Sequence, residues 1–118
     1  MVADPDHERE IRAARNQSMF RAINERLTRD DPLGELTGSH VISCECADVS
    51  CVQTLAISAA QYEQVRKEPR HFAVLPGHVL PDVETVVAEH KTYVVVEKIG
   101  EAGELAEEAE AADSEMLR

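Results

Sequence analysis

Residues 40–57 read HVISCECADVSCVQTLAI, and this stretch decides the fold. Two short runs rich in strand-forming residues, 40–44 and 52–57, lie on either side of a segment that holds all three cysteines of the chain. Runs of this kind around a turn segment are typical of a β-hairpin. The cysteines therefore stand where the hairpin turn is expected, and residues 44–51 are called the cysteine knuckle below.

The three cysteines, Cys44, Cys46 and Cys51, favour a metal site. An odd count does not suit a secreted disulfide framework, and clustered thiols in a reducing compartment are more often metal ligands. In an extended chain the single residue between the first two places both side chains on one face. The pattern predicts zinc, which takes four sulfur or nitrogen ligands at tetrahedral corners. Inert buried thiols and a reversible disulfide are the alternatives, although the carboxylates of Glu45 and Asp48 oppose the thiolate that a reactive cysteine needs.

The fourth ligand has several candidates, and four histidines compete for it: His40, His71, His78 and His90. In an extended strand His40 would lie about 13 Å from the first cysteine, so it could share the ion only if the strand bends sharply. His78 follows a Pro-Gly pair, where a turn can direct a side chain back toward a neighbouring hairpin. The order of preference is therefore His78, then His71, then Asp48.

The ends of the chain differ from its middle. Residues 1–30 predict a long N-terminal helix, with an apolar stripe expected to be buried: Met19, Phe20, Ile23 and Leu27. Residues 31–40 contain one proline and two glycines and predict a linker. Residues 99–118 alternate alanine and glutamate, and their like charges predict an acidic tail that is frayed or disordered.

Residues 41–98 predict an α+β core. Besides the hairpin, Ser58 and Gln61 form a capping box that opens a short helix. Residues 71–75 and 93–96 predict two further strands. Residues 83–90 carry apolar side chains at helical spacing and predict a second short helix. A hydrophobic core of this size is marginal by itself, so a zinc ion that staples the domain would contribute to its stability.

Charge disfavours nucleic acid as a partner. The chain carries a net charge of -11, and its last 20 residues contain seven acids and one arginine. Binding to phosphates draws its free energy from lysine and arginine, and no strongly basic block exists here. The first 30 residues carry six acids and six arginines, so only that segment could contact nucleic acid.

The sequence predicts a cytoplasmic protein. No apolar run approaches the roughly 20 residues that cross a bilayer. The first residues also lack the basic start and apolar stretch of a secretory signal. We expect no membrane as a partner.

Several motifs together resemble a group of small bacterial proteins, frequent among actinobacteria and mostly described only as uncharacterised. They are the run Cys-Glu-Cys-x4-Cys, the Pro-Gly-His turn of residues 76–78 and the strand Tyr-Val-Val-Val-Glu-Lys of residues 93–98. The similarity covers about residues 15–104. Those relatives pair the cysteine knuckle with the Pro-Gly-His turn, so the resemblance implies one site: Cys44, Cys46, Cys51 and His78. Val79 departs from the pattern, because an acidic residue is expected after the histidine.

Three functions follow from these observations. The first is a non-enzymatic zinc-binding interaction or regulatory module, whose partner is another protein held by the N-terminal helix. The second is a zinc-dependent hydrolase or a deaminase-like enzyme, with Glu45 or Asp48 as the base. The zinc-deaminase signature, His-x-Glu followed by Pro-Cys-x-x-Cys, is absent from the sequence. The third is a nucleic-acid-binding zinc protein. We expect the first.

Overall fold

The structure is a computed structural model, and it describes residues 5–29, 32–48 and 50–116. Along the chain its elements are α1 (Pro5–Arg29), α2 (Pro32–Thr37), β1 (His40–Ser43), β2 (Thr54–Ile57), α3 (Ala59–Arg66), β3 (His71–Val74), β4 (Glu84–Glu89), β5 (Val94–Lys98) and α4 (Gly100–Met116). The strands form two antiparallel sheets, one of two strands and one of three. The predicted α+β fold is confirmed. Within the described ranges, no helix combines the length and the apolar character that a membrane span requires.

The predicted hairpin is formed by β1 and β2. His40 pairs with Ile57 and Ser43 pairs with Thr54. One more backbone hydrogen bond, from Cys44 N to Gln53 O at 2.9 Å, continues the ladder into the cysteine knuckle. The knuckle therefore takes the place of the hairpin turn, as its position in the sequence predicts.

The predicted capping box is present at the start of α3. The Ser58 hydroxyl accepts a hydrogen bond from Gln61 N at 3.1 Å, and Ser58 N donates to Gln61 Oε1 at 3.2 Å. The helix buries Tyr62 and Val65 against the core. It ends at Arg66, before the proline at position 69, because a residue that precedes proline disfavours the helical conformation.

The three-stranded sheet has β5 at its centre, between β3 and β4. The predicted short helix over residues 83–90 is wrong, because the structure has strand β4 at this position. A register shift between Val86 and Ala88 breaks the strict alternation of sides that a strand normally shows. The resulting spacing of apolar residues resembles that of a helix. Antiparallel pairing with β5, the next strand along the chain, decides for the strand.

The segment predicted as a linker, residues 31–40, contains the six-residue helix α2 and the first residue of β1. The helix ends before Gly38, which has a φ of 77° and donates its N–H to Gly34 O at 2.8 Å. A glycine with positive φ commonly ends a helix, because it has no Cβ to clash with the backbone.

The acidic C-terminal segment is expected from its sequence to be frayed or disordered. In the structure it forms α4 and packs on α1. Ala102 and Ala106 are buried. Two arginines outside the segment pair with its carboxylates, Arg66 with Glu110 at 2.6 Å and Arg70 with Glu107. These cations offset the repulsion between like charges that the sequence of the tail implies. The predicted ranges 1–30 and 99–118 extend beyond the described residues at 1–4, 30 and 117–118.

The buried face of α1 is polar, which reverses the expected orientation of this helix. Gln17 and Asn24 are fully buried and Arg21 is 1% exposed. The apolar residues that were expected inside are largely outside: Met19, Ile23 and Leu27 are 53%, 42% and 47% exposed, and Phe20 is half-buried. Over residues 17–29, the part of α1 whose side chains are described without a gap, hydrogen bonds to the core hold the helix and the apolar residues Met19, Ile23 and Leu27 face outward.

Candidate metal centre

The first two thiols belong to the segment that leaves β1. Cys44 and Cys46 are buried and Cys51 is half-buried, and all three are free thiols. Leu75 N donates a hydrogen bond to Cys44 Sγ at 3.3 Å, which ties this thiol to the chain after β3. A backbone N–H that points at sulfur favours the thiolate form, which is the form that binds metal.

A tight turn returns the chain to the third thiol. Cys51 N donates to Asp48 O at 3.1 Å, which closes the turn. The Asp48 carboxylate accepts hydrogen bonds from Ser50 N at 2.9 Å and from the Ser50 hydroxyl at 2.7 Å. Asp48, the third choice for the fourth ligand, therefore serves to shape the turn.

His78 reaches the thiols from a Pro-Gly turn. His78 N donates to Leu75 O at 3.1 Å, with Pro76 at the second position and Gly77 at the third. Gly77 has a φ of 86°, the value that a type II turn demands of its third residue and that other residues seldom adopt. This turn reverses the chain directly after β3 and directs the imidazole back toward the knuckle.

The four candidate ligand atoms converge. The sulfur atoms of Cys44, Cys46 and Cys51 and a ring nitrogen of His78 all lie within 4.8 Å of one another. His78 Nδ1 lies 3.7 Å from Cys44 Sγ and 3.7 Å from Cys51 Sγ. Ligands at about 2.0 to 2.3 Å from a tetrahedral metal are separated by about 3.5 to 3.8 Å. These side chains are close enough to hold a metal ion.

The competing histidines have other surroundings, and none belongs to the cluster that the described residues form. His71 Nε2 lies 3.1 Å from Glu97 Oε1 on the neighbouring strand β5. His90 is exposed and stacks on Tyr93, with ring centroids 4.5 Å apart. His40 is buried on β1. The structure thus brings together the three cysteines and the first-ranked histidine.

Burial favours the protonated form of two of the thiols, Cys44 and Cys46. Removal from water raises the pKa of Cys44 and raises the pKa of Cys46 to about 12. A reactive or redox-active cysteine needs the opposite shift, because the thiolate is the nucleophile. This environment suits a metal ligand, whose proton is displaced by the cation.

Glu45, between the first two cysteines, lies in the core and not at the cluster. Its side chain is fully buried and accepts hydrogen bonds from Tyr62 Oη at 2.6 Å, Asn24 Nδ2 at 3.0 Å and Ala73 N at 2.9 Å. Burial raises the pKa of this carboxyl, and the hydrogen bonds from Tyr62 and Asn24 act in the opposite direction. From the sequence alone, Glu45 is expected to act on the neighbouring thiols. In an extended segment adjacent side chains point to opposite faces, and this alternation would have predicted that Glu45 points away from both thiols.

Two residues of α1 hold the backbone that carries the cysteines. Asn24 exchanges two hydrogen bonds with Ser43: Asn24 Nδ2 donates to Ser43 O at 2.8 Å, and Ser43 N donates to Asn24 Oδ1 at 3.0 Å. Gln17 Nε2 donates to Glu45 O at 2.8 Å. The polar face of α1 is thus complementary to the backbone of residues 43–45, which explains why this face is buried.

A buried ion pair supports the loop that carries His78. Lys98 Nζ lies 2.8 Å from Glu84 Oε2, and both side chains are almost fully buried. Glu84 Oε1 also accepts a hydrogen bond from Leu80 N at 2.7 Å, just beyond the histidine. Burial lowers the pKa of Lys98, and the Glu84 carboxylate opposes that shift. This pair is not predicted from the sequence, since nothing local marks two charges as buried partners.

No protein-family model, curated protein or solved structure matches this chain.

Proposed function

We propose that the chain is a zinc-stapled, non-enzymatic interaction module in which Cys44, Cys46, Cys51 and His78 hold one structural zinc ion. The observation that carries the proposal is the convergence of these four ligand atoms within 4.8 Å. They come from three separate places in the chain, the end of β1, the turn before β2 and the turn after β3. A metal bound there would join the hairpin to the three-stranded sheet.

The donor set supports zinc. Three thiolates and one imidazole suit a borderline-soft cation with tetrahedral geometry, whereas calcium and magnesium require oxygen ligands. Iron–sulfur clusters commonly use four cysteines, and this chain has three. The hydrogen bond from Leu75 N to Cys44 Sγ would stabilise the negative charge of the ligand shell.

The surroundings support a structural role over catalysis. Four protein ligands leave zinc no open position for water, which a catalytic zinc needs. The two nearby carboxylates are engaged elsewhere, because Glu45 is hydrogen-bonded in the core and Asp48 binds Ser50. We infer that the module acts by binding another protein through the exposed face of α1.

Metal analysis combined with cobalt substitution tests this function. Protein purified without a metal-binding tag should contain one zinc ion per chain. Replacement by Co²⁺ should give thiolate-to-cobalt charge-transfer absorption and the intense visible bands of a tetrahedral ion. Cys51→Ser should weaken the charge-transfer absorption, and His71→Ala, the matched control, should leave the spectrum unchanged.

Two results would reject the proposal. Metal-free protein that melts at the same temperature with and without added zinc would exclude a structural ion. A five- or six-coordinate cobalt spectrum in the wild-type chain would indicate an open position and favour an enzyme.

A further inference from the structure

The outward face of α1 is apolar and basic, on a protein that is strongly acidic. On a helical wheel, Arg15, Met19, Ile23, Arg26 and Leu27 fall within an arc of about 120°. All five side chains are exposed. The buried polar residues of α1 occupy the opposite side of the wheel. The set Arg15, Met19, Ile23, Arg26 and Leu27 is called the outer face of α1 below.

The apolar part of the outer face has the spacing of a helix-packing ridge. Met19, Ile23 and Leu27 are each four residues apart, which is the row that interdigitates when two helices pack. Over these eight steps the ridge is about 12 Å long, enough for roughly two turns of a partner helix. Exposed apolar residues at this spacing are the kind of anchor by which one helix binds another.

The charged part of the outer face selects the partner. Among the residues of α1 whose side chains are described, Arg15, Arg26 and Arg29 are exposed cations. The one described carboxylate on this helix, Glu25, lies outside the outer face and pairs with Arg66 at 2.8 Å. A second copy of the chain would bring the same arginines to the contact, which costs free energy. A helix with carboxylates beside its apolar ridge would complement them.

We propose that the outer face of α1 is a docking surface for an acidic amphipathic helix of another protein. This inference rests on the proposed function, because it names the kind of partner that the interaction module would bind through α1. Partner helices in grooves and on helix faces are recognised by apolar anchors at spacings of three and four residues. The arginines would contribute to orientation and to the rate of association.

A synthetic helix provides the probe. We would use a fluorescein-labelled peptide of about 18 residues, with leucine at positions a and d and glutamate at e and g of each heptad. The like charges discourage its self-association. A peptide with lysine in place of glutamate, and one of shuffled order, are the controls. Fluorescence anisotropy reports the dissociation constant at low and at physiological salt.

We expect the glutamate peptide to bind and the two control peptides not to bind. Ile23→Gln and Leu27→Gln should each weaken binding at least tenfold, since both remove an apolar anchor without touching the core. Leu36→Gln is the matched control, because Leu36 is an exposed leucine outside the outer face and its loss should leave binding unchanged. The double variant Arg15→Glu/Arg26→Glu should weaken binding most at low salt.

Several outcomes would overturn the docking surface. The first is that Ile23→Gln and Leu36→Gln bind the glutamate peptide equally well, and the second is that the wild-type chain binds the lysine peptide as tightly as the glutamate peptide. The third is tighter binding of single-stranded DNA or of anionic phosphatidylglycerol vesicles than of the glutamate peptide. The fourth is a dimer in sedimentation equilibrium that Ile23→Gln abolishes. Zinc content is measured in the same samples. A chain that holds zinc and ignores the peptide rejects the docking surface alone. A chain that binds the peptide without holding zinc rejects the zinc site alone.

Discussion

At the scale of single residues, Glu45 connects the core to the candidate metal centre. Its neighbours Cys44 and Cys46 face the cluster, while its own carboxylate is buried among three hydrogen-bond donors. The two sides of one extended segment thus perform two tasks. The core fixes Glu45, and Glu45 in turn fixes the direction of both adjacent thiols.

Glu45→Gln is therefore expected to destabilise the protein by about 2 kcal/mol or more, although the side chains have nearly the same shape. The amide would present an NH₂ group to donors that now meet carboxylate oxygens. Urea denaturation with zinc bound measures the free energy of unfolding. Glu63→Gln, an exposed position on α3, should change it by less than about 0.5 kcal/mol. Equal stability of the two variants would show that the buried charge is dispensable.

The ion pair between Glu84 and Lys98 also belongs to the residue scale. Removing one partner leaves a buried charge without compensation, so Glu84→Gln and Lys98→Met should each cost about 3 to 5 kcal/mol. The double variant should cost clearly less than the sum, because it leaves no unpaired charge. A double-mutant cycle from denaturation curves measures this coupling. Additive costs would mean that the 2.8 Å contact contributes no coupling.

At the scale of elements, α4 shows how partners elsewhere in the chain stabilise a weak helix. Its glutamates are close together along the helix and repel one another, yet Arg66 and Arg70 pair with two of them. Close packing adds to this. A Cβ placed on Gly103 would lie 2.8 Å from Lys98 O, closer than such atoms normally approach. Glycine at this helical position permits the contact with the end of β5.

Gly103→Ala should thus destabilise the protein by about 1 to 3 kcal/mol through overpacking. Helix propensity alone predicts that the same change raises the free energy of unfolding by up to about 1 kcal/mol. The sign of the measured change therefore tests whether Gly103 makes this contact. Thermal denaturation followed by circular dichroism measures it. For comparison, Ala111→Gly at an exposed position should cost only the propensity difference. A raised melting temperature for Gly103→Ala would contradict the packing of α4.

At the scale of the whole molecule, the candidate metal centre and α1 are coupled through residues 43–45. A metal held by the four candidate ligands would fix this segment from one side, and Gln17 and Asn24 hold its backbone from the other. Because the contacts on α1 are polar and directional, they depend on the exact position of the backbone atoms they meet. Loss of metal should therefore destabilise α1 as well as the cysteine knuckle.

Chelation is expected to lower the melting temperature by roughly 8 °C, if loss of the metal costs about 2 kcal/mol in a domain of this size. Hydrogen exchange should accelerate together in the knuckle, in the loop of residues 75–78 and in residues 17–29 of α1. Cys46→Ser should cost more than His78→Ala, because water can partly replace an imidazole but not the charge of a thiolate. Faster exchange in the knuckle with α1 unchanged would contradict the coupling.

The features that could be predicted from the sequence are those that neighbours in the chain determine. The capping box at Ser58 and the turn at Gly77 depend on hydrogen bonds and backbone angles within a few residues. The spacing of the cysteines brings two thiols to one face for the same local reason. The Pro-Gly turn ranks His78 first as the fourth ligand, and the resemblance to other sequences strengthens that choice.

The tertiary structure alone decided which faces are buried and how distant segments pair. β4 is a strand because β5 offers it a hydrogen-bonding edge, and the polar face of α1 is inward because it meets the backbone of residues 43–45. Glu84 and Lys98 are 14 residues apart, and each charge can be buried only because the other is there. In all three cases the deciding free energy comes from a second segment that meets the first in the folded chain, and the pattern of apolar and polar residues within one element does not identify that segment.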